Sequence, residues 1–129
     1  MKTISNKTEY EQIIAGDKPV VLDFYADWCS SCTALLPVLE AASNDYAADI
    51  VVAKINVEVN PELAAKFGIR SIPAVILMKN ATVVDRFAGV QSRSEINKRI
   101  DHLISVKIEK PGMVGTNNES GVIEISLTP

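Results

Sequence analysis

Pro19-Val20-Val21-Leu22-Asp23-Phe24-Tyr25-Ala26-Asp27-Trp28-Cys29-Ser30-Ser31-Cys32-Thr33-Ala34-Leu35-Leu36 is the stretch from which the architecture of this 129-residue chain can be read. Its first seven residues are apolar almost throughout rather than alternately, as a strand covered on both faces must be. The period then changes. Cys32, Leu35, Leu36 and Leu39 recur at i, i+3, i+4 and i+7, which is one face of a helix that Pro37 should kink. A central strand that feeds a helix opening on two cysteines places those cysteines beyond the carboxyl end of the strand, where open α/β sheets build their sites.

Before this stretch, Asn6 and Glu9 have the spacing of a capping box, Tyr10, Ile13 and Ile14 share a helical face, and Gly16 offers a stop. A short strand near Thr3-Ile4 can precede that helix. Ile50 to Val57 reads as a second buried strand. Asn60-Pro61-Glu62 reads as an N-cap with proline at the first helical position, and Gly68 ends that two-turn helix. Ala74 to Met78 and Thr82 to Phe87 are strands around a turn at Lys79-Asn80-Ala81, close enough for an antiparallel hairpin. Ser92 with Glu95 opens a last helix whose buried stripe is Ile96, Ile100, Leu103 and Ile104. The order β-α-β-α-β-β-α from Pro19 onward implies an α/β domain over residues 1–105, a central mixed sheet flanked by helices on both faces. Residues 106–129 form a C-terminal extension in which Ile123, Ile125 and Leu127 alternate with polar residues, and an ordered edge strand or hairpin is expected there.

The length allows one hydrophobic core and so directs attention to one site. A formal net charge of −3, with Lys and Arg scattered along the chain, gives no footprint for nucleic acid. No apolar stretch is long enough to span a bilayer, and Met1-Lys2-Thr3-Ile4-Ser5-Asn6-Lys7 has no signal-peptide pattern, so a cytoplasmic, monomeric protein is expected.

Two cysteines three residues apart would close too short a loop to serve as a staple, which leaves redox cycling, half of a metal site, or inert packing. Zinc wants three or four ligands, and the chain has no third cysteine and one histidine, His102, on the solvent side of its helix; no metal is expected. Redox work is favoured. Cys29 at a helix start would have its thiolate stabilised by unsatisfied amides and the helix dipole, making it the nucleophile. Cys32, one turn further in and better shielded, would resolve the mixed disulfide. Trp28 would form an apolar lip beside them.

Asp23 is costly to bury as an unpaired ion and therefore calls for a reason. Lys54, inside the apolar run Val51-Val52-Ala53-Lys54-Ile55, could be its neighbour on an adjacent strand. Burial would raise the Asp23 pKa and an ammonium would lower it, giving a base for Cys32; the alternative is a buried ion pair with no chemical role.

Val21-Leu22-Asp23-Phe24-Tyr25-Ala26-Asp27-Trp28-Cys29, Pro37, Val52-Ala53-Lys54-Ile55-Asn56, Phe67-Gly68-Ile69-Arg70-Ser71-Ile72-Pro73 and Gly89 together resemble the thioredoxin family, over about residues 1 to 105. The resemblance implies the thioredoxin fold, with Asp23 the carboxylate behind the cysteines and Lys54 beside it. It implies that Pro73 is a cis-proline facing the cysteines and that the Ile72 backbone offers hydrogen bonds to an extended substrate. Trp28, Ser30, Ser31, Ile72, Pro73 and Gly89 then form the substrate-binding surface. It also implies that no cofactor is bound, that the redox group is the Cys29–Cys32 disulfide, and that electrons come from NADPH through a thioredoxin reductase. Disulfide-containing proteins and that reductase are the implied partners. Two departures stand out. Ser30-Ser31 replaces the family's usual Gly-Pro and restores a backbone N–H near Cys29, so a less reducing protein is expected; Ser71 replaces a common glycine beside Pro73, which alters the docking surface. A reductase of protein disulfides is the leading reading. An oxidase or isomerase, and a partner-binding subunit with idle cysteines, are the alternatives.

Overall fold

The computed structural model describes residues 1–109. Its elements are β1 (Lys2–Ile4), α1 (Lys7–Ile14), β2 (Val20–Tyr25), α2 (Ser30–Asp45), β3 (Val51–Asn56), α3 (Pro61–Lys66), β4 (Ala74–Lys79), β5 (Thr82–Ala88) and α4 (Arg93–Ser105). The five strands form one sheet in the order β1-β3-β2-β4-β5, with β1, β3 and β2 parallel and β4 and β5 antiparallel to their neighbours. β2 is central and buried over Val20–Phe24, as its unbroken apolar run requires. The expected edge strand at residues 122–127 lies outside the described residues.

Side chains along β2 alternate between the two faces of the sheet. Val20, Leu22 and Phe24 join Tyr10, Leu63 and Phe67 in a core beneath α1 and α3, while Val21 packs with Leu35, Leu39, Ile96 and Ile100 beneath α2 and α4. Asp23 shares the parity of Val21, and Lys54 that of Val52, so both project to the side of the sheet that carries α2. α2 and α4 are tied to each other by the Tyr46 hydroxyl donating to Asp101 at 2.8 Å and by an Arg93–Asp45 ion pair.

Several local readings are refined. Asn6 caps α1 by accepting from the Glu9 amide at 2.9 Å, but the Glu9 carboxylate accepts from Ser5 rather than Asn6. Helix α1 stops at the Ala15 cap, and Gly16 contributes no left-handed turn. Asn60 occupies the N-cap of α3 without a capping side-chain bond; its amide donates instead to the Asn56 carbonyl at 3.1 Å. Helix α2 continues through Pro37, which is exposed, and Leu36 is only half-buried.

The hairpin turn is shorter than its composition suggests, because Lys79 completes β4 and leaves only Asn80 and Ala81 between the strands, at φ 51° and 62°. Two consecutive positive-φ residues make the turn twist that matches a hairpin, and an alanine there carries a steric cost that glycine avoids. Ala81→Gly is expected to stabilise the protein by about 0.5–1 kcal/mol after the entropy lost by glycine on folding is deducted. Urea denaturation of the two proteins measures this directly, with an unchanged or lower midpoint counting against it.

Candidate active site

The site is assembled where β2 ends. Ala26, Asp27 and Trp28 lead from the strand to Cys29, which is the N-cap of α2 in an extended conformation. Its Sγ accepts the Cys32 backbone N–H at 3.2 Å, one of the amides that the start of a helix leaves without an internal partner. The Cys29 carbonyl meanwhile accepts from the Thr33 amide at 3.2 Å and the Thr33 hydroxyl at 3.3 Å, fixing the first turn. Cys29 and Cys32 are joined in a disulfide, with their Cα atoms 5.2 Å apart. The Ser31 hydroxyl lies 3.6 Å from Cys29 Sγ.

Shielding does not distinguish the two cysteines, contrary to the sequence expectation: Cys29 is 5% exposed and Cys32 4%. Their surroundings do. Cys29 Sγ faces the Cys32 amide, the Ser31 hydroxyl and the Ile72 carbonyl oxygen 3.9 Å away. Cys32 instead lines a cavity of about 160 Å³ shared with Asp23, Tyr25, Ala26, Asp27, Thr33, Leu36 and Lys54.

Asp23 and Lys54 are register partners on adjacent parallel strands. They do not form a contact ion pair. The Lys54 ammonium sits 5.4 Å over the Tyr25 ring, and Asp23 Oδ1 is buried without a hydrogen-bond partner. Burial therefore dominates and pushes the Asp23 carboxyl up to about 7, with the Lys54 charge opposing it. A carboxyl that exchanges a proton near neutrality thus opens onto the same cavity as Cys32.

Across from the cysteines, the Ile72–Pro73 bond is cis, and the Pro73 carbonyl accepts from the Gly89 amide at 2.8 Å. Gly89 is at φ 84°, a conformation that suits glycine. Trp28 is 70% exposed, and its indole N–H donates to Glu58 at 2.9 Å. Ser30 and Ser71 are exposed beside this surface. Glu58, the seat of Lys54 on Tyr25 and the contact of the Ser31 hydroxyl with Cys29 Sγ were not read from sequence, because each depends on where a loop or a rotatable side chain comes to rest. For Glu58, the register that pairs Tyr25 with Asn56 is the signal that brings the two strand exits together.

Among the described residues no group of three or more His, Cys, Asp and Glu is placed to hold a metal ion, and no helix is long and apolar enough to cross a membrane. His102 is exposed.

The family model described as Thioredoxin matches residues 1–102. The chain belongs to the thioredoxin family. It is 40% identical over 100 residues to a thioredoxin of Chlorobaculum thiosulfatiphilum, covering 78% of this chain and 93% of that one. It is 42% identical over 91 residues to a thioredoxin of Alicyclobacillus acidocaldarius, covering 70% and 87%. The solved thioredoxin of Malassezia sympodialis superposes with a TM-score of 0.75 at 29% identity, over 81% of this chain and 91% of that one. Family membership and the disulfide-bonded pair at the start of α2 make the chain a thiol-disulfide oxidoreductase of the thioredoxin fold, with the Cys29–Cys32 pair as its redox group.

Proposed function

We propose that the protein reduces disulfides of other proteins, with Cys29 as nucleophile and Cys32 as resolving thiol. The Cys29 thiolate attacks one sulfur of the substrate disulfide, forming a mixed disulfide and releasing the other substrate sulfur as a thiolate. Cys32 then gives its proton to Asp23 and attacks Cys29 Sγ, releasing the second substrate thiolate. The substrate disulfide gains two electrons and leaves as two thiolates, which are protonated by solvent water; Asp23 returns its proton to solvent, and the Cys29 thiolate and Cys32 thiol become a disulfide. Lys54 moderates the proton affinity of Asp23. Trp28, Ser30, Ser31, Ile72, Pro73 and Gly89 form the face on which an extended substrate segment docks, and Ser71 adjusts partner choice. A thioredoxin reductase drawing on NADPH restores the dithiol, and the reaction belongs to the cytoplasm. Residues 1–105 constitute the catalytic domain and 106–129 an extension to it.

The observation that carries this reading is the division of labour around the disulfide. Cys29 Sγ accepts a helix amide, and Cys32 shares a cavity with a buried carboxyl that titrates near 7. Reduction of insulin disulfides tests it, supplied first with dithiothreitol and then with NADPH and a thioredoxin reductase. Turnover with both donors is the expected result. Turnover with dithiothreitol alone would remove the reductase from the scheme, and none with either would overturn the reading.

A further inference from the structure

The Cys29 sulfur receives two polar groups from its own helix, and only the first of them is backbone. The Cys32 amide lies 3.2 Å from Sγ, and the Ser31 hydroxyl 3.6 Å from it. A disulfide sulfur carries no proton, so in this contact the hydroxyl is the donor. We infer that the Ser31 hydroxyl also donates to the Cys29 thiolate of the reduced protein and makes the Cys29–Cys32 disulfide easier to reduce than the same pair without it. This rests on the assignment of Cys29 as the attacking thiol.

A disulfide sulfur is a weak acceptor, and a thiolate is a strong one, so the same donor is worth more in the reduced protein. At 5% exposure Cys29 has little access to water, and the hydrogen bonds that stabilise its charge must come from the protein. Ser31 is itself exposed and can be altered without disturbing a packed core. Its hydroxyl hydrogen rotates freely, so it can follow Sγ as the disulfide opens. The hydroxyl therefore lowers the free energy of the reduced state more than that of the disulfide, and that difference appears in the redox equilibrium.

Ser31→Ala and Ser31→Thr test this in the full chain. Reduced proteins are alkylated with iodoacetamide across pH, the modified cysteine is identified by peptide mapping, and each protein is equilibrated with glutathione. Cys29 is expected to react first. In Ser31→Ala its alkylation at pH 6 should slow roughly fivefold, and the glutathione equilibrium should shift about tenfold toward the disulfide, about 30 mV toward a more reducing potential. Ser31→Thr, which keeps the hydroxyl, should stay near the wild type in both. If Ser31→Ala matches the wild type, or Ser31→Thr departs from it as far as Ser31→Ala does, the hydroxyl has no such role. Preferential reaction at Cys32 would instead overturn the nucleophile assignment on which the inference stands.

Discussion

Cys29→Ser is expected to return insulin-disulfide reduction to the uncatalysed rate, a loss of roughly three orders of magnitude or more, whereas Cys32→Ser should fail one step later and accumulate a covalent adduct. The asymmetry follows from the chemistry of the two sulfurs rather than from their exposure, which is nearly equal. Serine at position 29 leaves no thiolate at the helix amides, and its hydroxyl cannot undergo exchange. Serine at position 32 leaves Cys29 intact, so attack on a substrate proceeds, but the mixed disulfide has no neighbouring thiol to displace it. Non-reducing electrophoresis and mass measurement after incubation with a disulfide substrate read the difference. Cys32→Ser should carry a substrate-sized adduct that dithiothreitol removes, and Cys29→Ser should carry none. An adduct that forms on Cys29→Ser instead would reverse the assigned roles.

Much of this site is written in the local period of the sequence. The continuous apolar run at Val20–Phe24 marks a central strand, and the change to helical spacing at Cys32, Leu35 and Leu39 marks the helix that carries the cysteines. The parity of residues along β2 and β3 then decides that Asp23 and Lys54 face α2, because one step along a strand moves a side chain to the opposite face. What the sequence does not carry is the resting place of long or freely rotating side chains. Lys54 can reach either Asp23 or Tyr25 from the same backbone position, and only the assembled site shows the ammonium over the ring. Trp28 and Glu58 lie thirty residues apart and meet because both follow strand ends that pair in register. The turn at Asn80-Ala81 was obscured by Lys79, a polar residue that completes β4 and donates from its ammonium to the Ile104 carbonyl at 2.7 Å. The cis bond at Pro73 was legible only through family resemblance, since nothing in an isolated Ile-Pro pair selects the minority isomer.

The resting place of Lys54 also sets the energetic character of Asp23. With no hydrogen bond to Oδ1 and no ammonium in contact, the carboxyl is held beside Cys32 at a site that disfavours its charge.

Asp23→Asn should therefore stabilise the oxidised protein at pH 8 and slow its chemistry. In the unfolded chain the carboxyl ionises at the ordinary value of 3.8, and in the folded protein only at about 7. Between those values the folded state binds the extra proton, so wild-type stability falls as pH rises, by up to about 1.4 kcal/mol per pH unit attributable to this group. The destabilisation is absent below pH 4 and complete above about pH 7, where it amounts to at most about 4 kcal/mol, less whatever water in the cavity relieves. Asparagine keeps the shape of the side chain and cannot ionise. Urea denaturation from pH 4 to pH 8 should show the two proteins close together at the acid end and the variant progressively more stable toward pH 8; curves that stay parallel would reject the assignment. The kinetic counterpart has the opposite sign. Release of a preformed mixed disulfide by Cys32 requires removal of the Cys32 proton, and without a carboxylate in the cavity that step should slow on the order of a hundredfold. Wild-type release should rise with pH through a midpoint near 7, and the variant should lack that limb. A variant more stable at pH 8 yet unimpaired in release would show that the buried carboxyl strains the fold without serving Cys32, which is the distinction that burial alone does not make.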